Sequence, residues 1–341
     1  MAYGRRYARR GTRRRPTTAE WIATRPQPTP PAELAGAITT TSPHDGVTHT
    51  DDGRDVVTHV DTIETLLEWI AHTPGYGTES GLQESFSSED TGEETIGSLP
   101  WNGTQTWAEA VALARDGWPA GAALVDRYAS VHADRLASLI EQPVWTMDRE
   151  GDGFDVGTML SGEPEHWYHR ETRHVESFSR SIYRIRMGVT TSSGVNVAAI
   201  IARGAAVLAL VNLLELAGHG TDVAAIYSGA SNEQGRRTVV IGLKHAEHTP
   251  DMARLAFALA NPAMQRRLGF EAIRHMPRGQ YLADNGYGSG SLGFDPPGSL
   301  RGDIYLGGMS LKERNWTDPA AVSAWIVARL GDCGVTLAER S

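Results

Sequence analysis

The sequence predicts an α/β chain: a Rossmann-like mixed sheet with a buried central helix, preceded by a small helical module and a disordered N-terminal arm. Three observations carry that reading. Residues 195–217 are apolar on almost every side, with Val195, Ile200, Val207, Leu210, Leu213 and Leu214 among them; such a helix is enclosed by protein. β-favouring segments flank it at 182–189, 223–227 and 237–243. Residues 1–16 hold seven arginines and no acid, the composition of a solvated arm.

The first strand alternates Ile182, Arg184, Arg186 and Gly188 with Tyr183, Ile185, Met187 and Val189, a period of two. The helix spans about six turns and stops at Gly218, where a helix-closing glycine belongs. Asn196, Arg203, Asn212 and Glu215 interrupt its apolar run, so a core helix is expected and no membrane span. Strand, helix and strand form a right-handed parallel crossover. Only Ser228 to Arg236 separates the second strand from the third, too short for a crossover. These two pair antiparallel, which is expected to put the third strand at an antiparallel edge.

The chain divides by composition. Residues 1–55 form the arm, with Arg5, Arg6, Arg9, Arg10, Arg13, Arg14 and Arg15, followed by a Pro-, Thr- and Asp-rich stretch expected to be a linker. Residues 56–142 form the helical module. One helix starts near Asp61, and Thr106-Trp107-Ala108-Glu109 has the capping-box pattern of another. Trp118-Pro119 opens a third. A Gly-, Ser- and acid-rich loop over 75–98 divides them. Residues 143–341 hold the α/β domain, which continues through a helix from Pro250, a glycine-rich loop over 281–300, a strand at 303–306 and a helix opened by Asp318-Pro319. Val335 to Leu337 reads as a final edge strand.

Charge bounds the function. The net formal charge is −9, yet without the arm's seven arginines the remaining 25 basic and 41 acidic residues give −16. The body therefore does not attract nucleic acid through bulk charge, whereas the arm has the composition for phosphate neutralisation. Cys333 is the lone cysteine, so no disulfide forms within the chain. Trp101, Trp107 and Trp118 read either as a stacking platform or as core packing around helix ends. Asp148 to Gly153 starts like a calcium loop but has Met159 where a bidentate Glu is required. His166, His169 and His174 are spaced loosely for a metal cluster, and His245-x-x-His248 lacks the i,i+4 spacing of a helical zinc motif. No cofactor is expected. The sequence has no Gly-x-Ser-x-Gly elbow, no phosphate loop and no dinucleotide fingerprint following a strand.

In open α/β sheets ligands bind beyond the carboxyl ends of the parallel strands. Here that edge gathers Thr190, Thr191, Ser192, Ser193 and Gly194, with Ser228, Ser231 and Asn232 after the second strand and Gly307, Gly308 and Ser310 after a later one. Thr190, Ser192, Ser193 and Asn232 are the candidate binding residues. The alternative for Thr190, Ser192 or Ser193 is capping of the long helix.

The motifs Asp155-Val156-Gly157, Ser161-Gly162-Glu163-Pro164, Arg203-Gly204-Ala205-Ala206 and Leu214-Glu215-Leu216-Ala217-Gly218-His219, with 101–121 and 251–277, resemble an uncharacterised family of bacteriophage- and plasmid-borne proteins. That resemblance brings no activity. The element order also resembles von Willebrand factor A-type domains, which carry Asp-x-Ser-x-Ser after the first strand to hold a metal. Gly188-Val189-Thr190-Thr191-Ser192 keeps hydroxyls but has Gly188 at the carboxylate position. The resemblance implies a degenerate metal site and a non-catalytic protein-interaction module, in the host cytoplasm if phage-encoded, with a protein partner the sequence does not identify. The alternatives are nucleic-acid binding or virion association through the arm, and a metal-dependent hydrolase using the histidines.

Overall fold

The computed structural model describes residues 38–42, 44–73, 98–137, 144–148, 153–154, 156–161, 167–171, 181–231, 235–277, 298–310 and 315–335. The arginine arm, Asn232, His166, His174, the 281–297 part of the glycine-rich loop and 336–337 lie outside these.

Seven strands form one mixed sheet: β1 (Ile38–Thr41), β2 (Val47–Asp51), β3 (Val56–Val60), β7 (Ile182–Gly188), β8 (Gly220–Ser231), β9 (Gly235–Lys244) and β10 (Ile304–Leu306), in the order β1-β2-β3-β9-β8-β7-β10. β4 (Val144–Asp148), β5 (Gly153–Phe154) and β6 (Trp167–Glu171) form a separate antiparallel sheet. The expected crossover is present, with β7 and β8 parallel. The expected hairpin is present too, β8 against β9, longer than the sequence indicated at both ends.

Several expectations fail here. β9 is interior, because β3 pairs with it in parallel, Val56 opposite Arg237 and Val60 opposite Ile241. Residues 38–41 and 47–51, expected as linker, are strands. Their threonines are β-branched and suit a half-exposed sheet, Val47 is fully buried, and Gly46 and Gly53 supply the positive φ at the turns. The proposed boundary at residue 56 therefore falls inside the sheet. Val335, expected in a final edge strand, lies in no strand.

The helices are α1 (Ile63–His72), α2 (Leu99–Asn102), α3 (Trp107–Asp116), α4 (Pro119–Ala137), α5 (Val156–Leu160), α6 (Val197–Leu216), α7 (Met252–Ala260), α8 (Phe270–His275) and α9 (Pro319–Asp332). A π-helical turn, Met264–Gly269, joins α7 to α8. α1, α3, α6, α7, α8 and α9 share one core with Ile185, Met187, Val223, Ala225, Tyr227, Val239 and Ile241 of the sheet. Ala224, Ile226, Val57 and Val240 form a smaller cluster, as the period-two pleat requires.

α6 is long and apolar enough to cross a membrane, and 78% of its most apolar stretch is buried inside the protein. Each buried aliphatic side chain contributes about 1.5–3 kcal/mol of transfer free energy, so this rod anchors the core. Gly204 explains the small-residue run within it: a Cβ there would collide with the backbone of Leu259 and Ala260 in α7. The tryptophan question resolves toward packing. Trp101 is 1% exposed, and Trp107 and Trp118 pack against the same core.

Candidate functional site

Because β3 and β9 run opposite to β7, β8 and β10, the sheet has two carboxyl edges at opposite ends. The sequence pointed to the first, beyond β7, β8 and β10. Its hydroxyls are largely turned inward. Thr190 is buried; its Oγ1 donates to the Ser228 carbonyl at 3.2 Å and accepts from the Ser228 N–H at 2.9 Å. Thr191 is buried, donating its hydroxyl to Gln265 Oε1 while Gln265 Nε2 donates to the Thr191 carbonyl at 2.9 Å. Ser192 donates its N–H to the Met309 carbonyl, and the Ser193 carbonyl accepts from Trp101 Nε1 at 2.9 Å. The Ser192 and Ser193 side chains are half-buried. None of these hydroxyls caps α6. Asn196 does, accepting from the Ala198 N–H at 2.7 Å, because the chain needs Thr190–Val195 to cross the sheet end before the helix begins. Likewise Thr62, not Asp61, caps α1.

Buried arginines seal this edge. Arg203 of α6 is 1% exposed and donates to the carbonyls of Gly188, at 2.9 Å, and Gly307. Arg266 stacks on Trp101, 4.2 Å from the ring centre, and reaches the Trp101 and Val195 carbonyls. Arg267 holds Thr104, its Nε on Oγ1 at 2.8 Å and Nη2 on the carbonyl at 2.9 Å. The π-helical turn is what aims Gln265, Arg266 and Arg267 at this end in succession. Gly188 is closely packed: an added Cβ would lie 2.8 Å from both Gly307 C and Gly308 N. A carboxylate therefore has no room at that position.

The second edge is open. Beyond β3 and β9 lies a cleft of about 240 Å³ lined by Asp61, Thr62, Glu64, Lys244, His245, His248, Asp251 and Arg254, among others. A β-bulge builds it. Val223 pairs with Lys244 and Ala224 with Gly242, leaving Leu243 as the extra residue; bulges re-aim side chains at such rims. Gly242 lets β9 approach β3, since a Cβ there would strike the Asp61 carbonyl. The bulge turns Lys244 inward, where its ammonium donates to Glu215 Oε1 at 2.7 Å and to the Thr221 and His245 carbonyls at 2.9 and 3.1 Å. The His245 carbonyl also accepts from the His248 N–H, pinning the turn that carries both histidines. Their rings stand edge to face, 5.9 Å apart. His245 Nδ1 lies 3.8 Å from Asp222 Oδ2. An ion pair between Arg254 of α7 and Glu64 of α1 bridges the cleft.

Sequence reasoning noticed Asp61 and the His245–His248 pair but not that they meet. The signal was a second parallel strand pair, and its partners, β3 and β9, lie far apart in the chain. Among the described residues no group of three or more His, Cys, Asp or Glu side chains could hold a metal. His169 lies on β6; the rest of the histidine cluster and most of the acidic turn after Asp148 fall outside the described residues.

The chain belongs to the family described as Domain of unknown function (DUF7192), whose profile matches residues 49–333. No curated protein and no solved structure matches it.

Proposed function

We propose that the chain is a non-catalytic protein-interaction module of a phage- or plasmid-borne element, built on a von Willebrand A-like scaffold whose metal site has been lost. The observation that carries this is at Gly188. The position where such a scaffold needs an anionic ligand has no room for a side chain, and the Arg203 guanidinium holds the Gly188 carbonyl. A buried cation beside the site opposes a divalent metal. Among the described residues no nucleophile–base pair stands at the same edge, which supports the reading: Thr190 and Thr191 are committed to Ser228 and Gln265. The open cleft at the other edge is the surface left for a partner.

The arginine arm favours a second reading, nucleic-acid binding, since seven arginines without an acid lie outside the family match. The test for both is capture from the native host. The module reading expects one protein partner at stoichiometric yield, unchanged when residues 1–16 are removed, and no bound metal. Retention of DNA or RNA that falls steeply with salt and vanishes with the arm supports the second reading. Stoichiometric metal lost on substituting His166, His169 or His174 would overturn the first.

A further inference from the structure

We infer that the β1–β2 hairpin is a latch that low pH releases from the helix layer. Histidines line both sides of that junction. His44, in the turn between β1 and β2, stands 6.1 Å from His72 of α1, ring centre to ring centre. His49 of β2 and His275 of α8 both pack on the fully buried Trp69 of α1, at 5.9 and 6.0 Å. Each pair has one histidine on the hairpin and one on a helix. Val47, fully buried, and His49, two residues on and so on the same face, dock β2 onto the helices. His49 Nδ1 lies 2.9 Å from Oγ1 of Thr58, a residue closed off from solvent. A neutral ring can accept the proton of that buried hydroxyl; an imidazolium cannot. His275 Nδ1 lies 2.9 Å from the Glu271 carbonyl oxygen and 3.8 Å from Glu271 Oε1. Arg274 Nη1 already holds that carboxylate, at 3.1 and 3.3 Å.

Protonation therefore sets like charges against one another across the junction. Imidazole takes up its proton between about pH 8 and 5, and neighbouring imidazoliums repel. The groups packed around them do not offset this. β1 brings Thr40 opposite His49, β3 brings Thr58 and α1 brings Trp69, all uncharged. α8 brings Arg274, a further cation, with Glu271. The acids at the junction are Asp45 and Asp51 on the hairpin, Asp61 ahead of α1 and Glu68 on it. None of them forms an ion pair with His44, His49 or His72 among the described residues. Burial also pushes the His49 pKa below the ordinary histidine value. The docked hairpin thus holds that ring neutral, and the stability it adds is lost as pH falls. The hairpin can leave without the core, because its ladder to β3 spans residues 47–51 alone and the core is built on α6. The family match begins only at residue 49, so most of the hairpin precedes it. Release bares the outer edge of β3, a template for another strand. This holds whether or not the chain is an interaction module.

Hydrogen exchange on the full chain at about pH 7.5 and about pH 5, corrected for the pH dependence of intrinsic exchange, tests this. Protection over residues 47–51 is expected to fall about a hundredfold, tenfold for each histidine pair, while residues 223–227 of β8 stay protected. His49→Gln removes one pair and limits the fall to about tenfold. His275→Gln does the same with the hairpin's own side chains intact, and decides the matter if His49→Gln already loosens the hairpin at the higher pH. His219→Gln, which alters a buried histidine beside Tyr183 and away from the junction, keeps the full fall. Equal protection of 47–51 at both pH values, or a full fall in both His49→Gln and His275→Gln, overturns the proposal. Loss of protection over 223–227 in step with 47–51 also overturns it, because the chain would then be unfolding as a whole.

Discussion

The two carboxyl edges of this sheet use the same raw material, polar residues after parallel strands and ahead of a helix, to opposite ends. Beyond β7 and β8 the polar groups face one another and the backbone, under Trp101 and three buried arginines. Beyond β3 and β9 they face solvent around a cleft, with Lys244 alone drawn inside. The difference teaches that a carboxyl edge is a permissive position, not a site. Whether it becomes one depends on what the rest of the chain packs over it. Here the π-helical turn and α2 close one end, and the β-bulge opens the other.

That contrast can be broken at several strengths. The largest effect is expected from Leu210→Asp, which buries an unpaired charge in the rod supporting the closed edge. The cooperative thermal transition should vanish; an unchanged melting curve would show that α6 is not the core. Next, Arg203→Ala strips donors from two carbonyls at the closed edge and should cost about 2–4 kcal/mol by chemical denaturation. Arg254→Ala at the open edge removes a partly exposed ion pair and should cost about 0–1 kcal/mol. Similar losses for the two would erase the distinction between the edges.

Smaller effects sharpen it. Burial pushes the pKa values of His49, His59 and His219 below the ordinary histidine value, with Arg186 adding to the depression at His59 and Asp61 opposing it. The folded chain thus holds fewer protons than the unfolded one below the ordinary value near pH 6.5. Stability present at neutral pH is lost as pH falls from there toward the folded values. A melting temperature that declines between about pH 7 and 5, less steeply in His59→Gln, is the expected record. The mildest test is chemical. Burial and the neighbouring Asp332 and Asp303 push the Cys333 thiol up to about 11, so a thiol reagent at pH 7 should label the native chain far more slowly than the denatured one.

The sequence made the interior of the fold legible where signals are local. The apolar run of α6, the short gap between β8 and β9, the Thr106 cap with Glu109 and the Asp318-Pro319 start all appear as read. What it hid depends on distant partners. The stretch from Ile38 to Asp51 has a composition that passes for linker until Val56–Val60 pairs with Arg237–Ile241, and that pairing moves β9 from the rim to the interior. The same distance concealed the cleft, since Asp61 and His245 meet only through it. Thr190 and Thr191 were visible as hydroxyls beside a helix, but Gln265, which turns Thr191 inward, comes from the π-helical turn.

Hydrogen–deuterium exchange on the free, full-length chain tests the contrast most directly. Amides of residues 189–195 should exchange as slowly as the core of β7 and β8, opening only with global unfolding, while those of 245–251 exchange orders of magnitude faster. Rapid exchange across 189–195 with protection over 245–251 would place the open edge at the wrong end of the sheet and contradict the account.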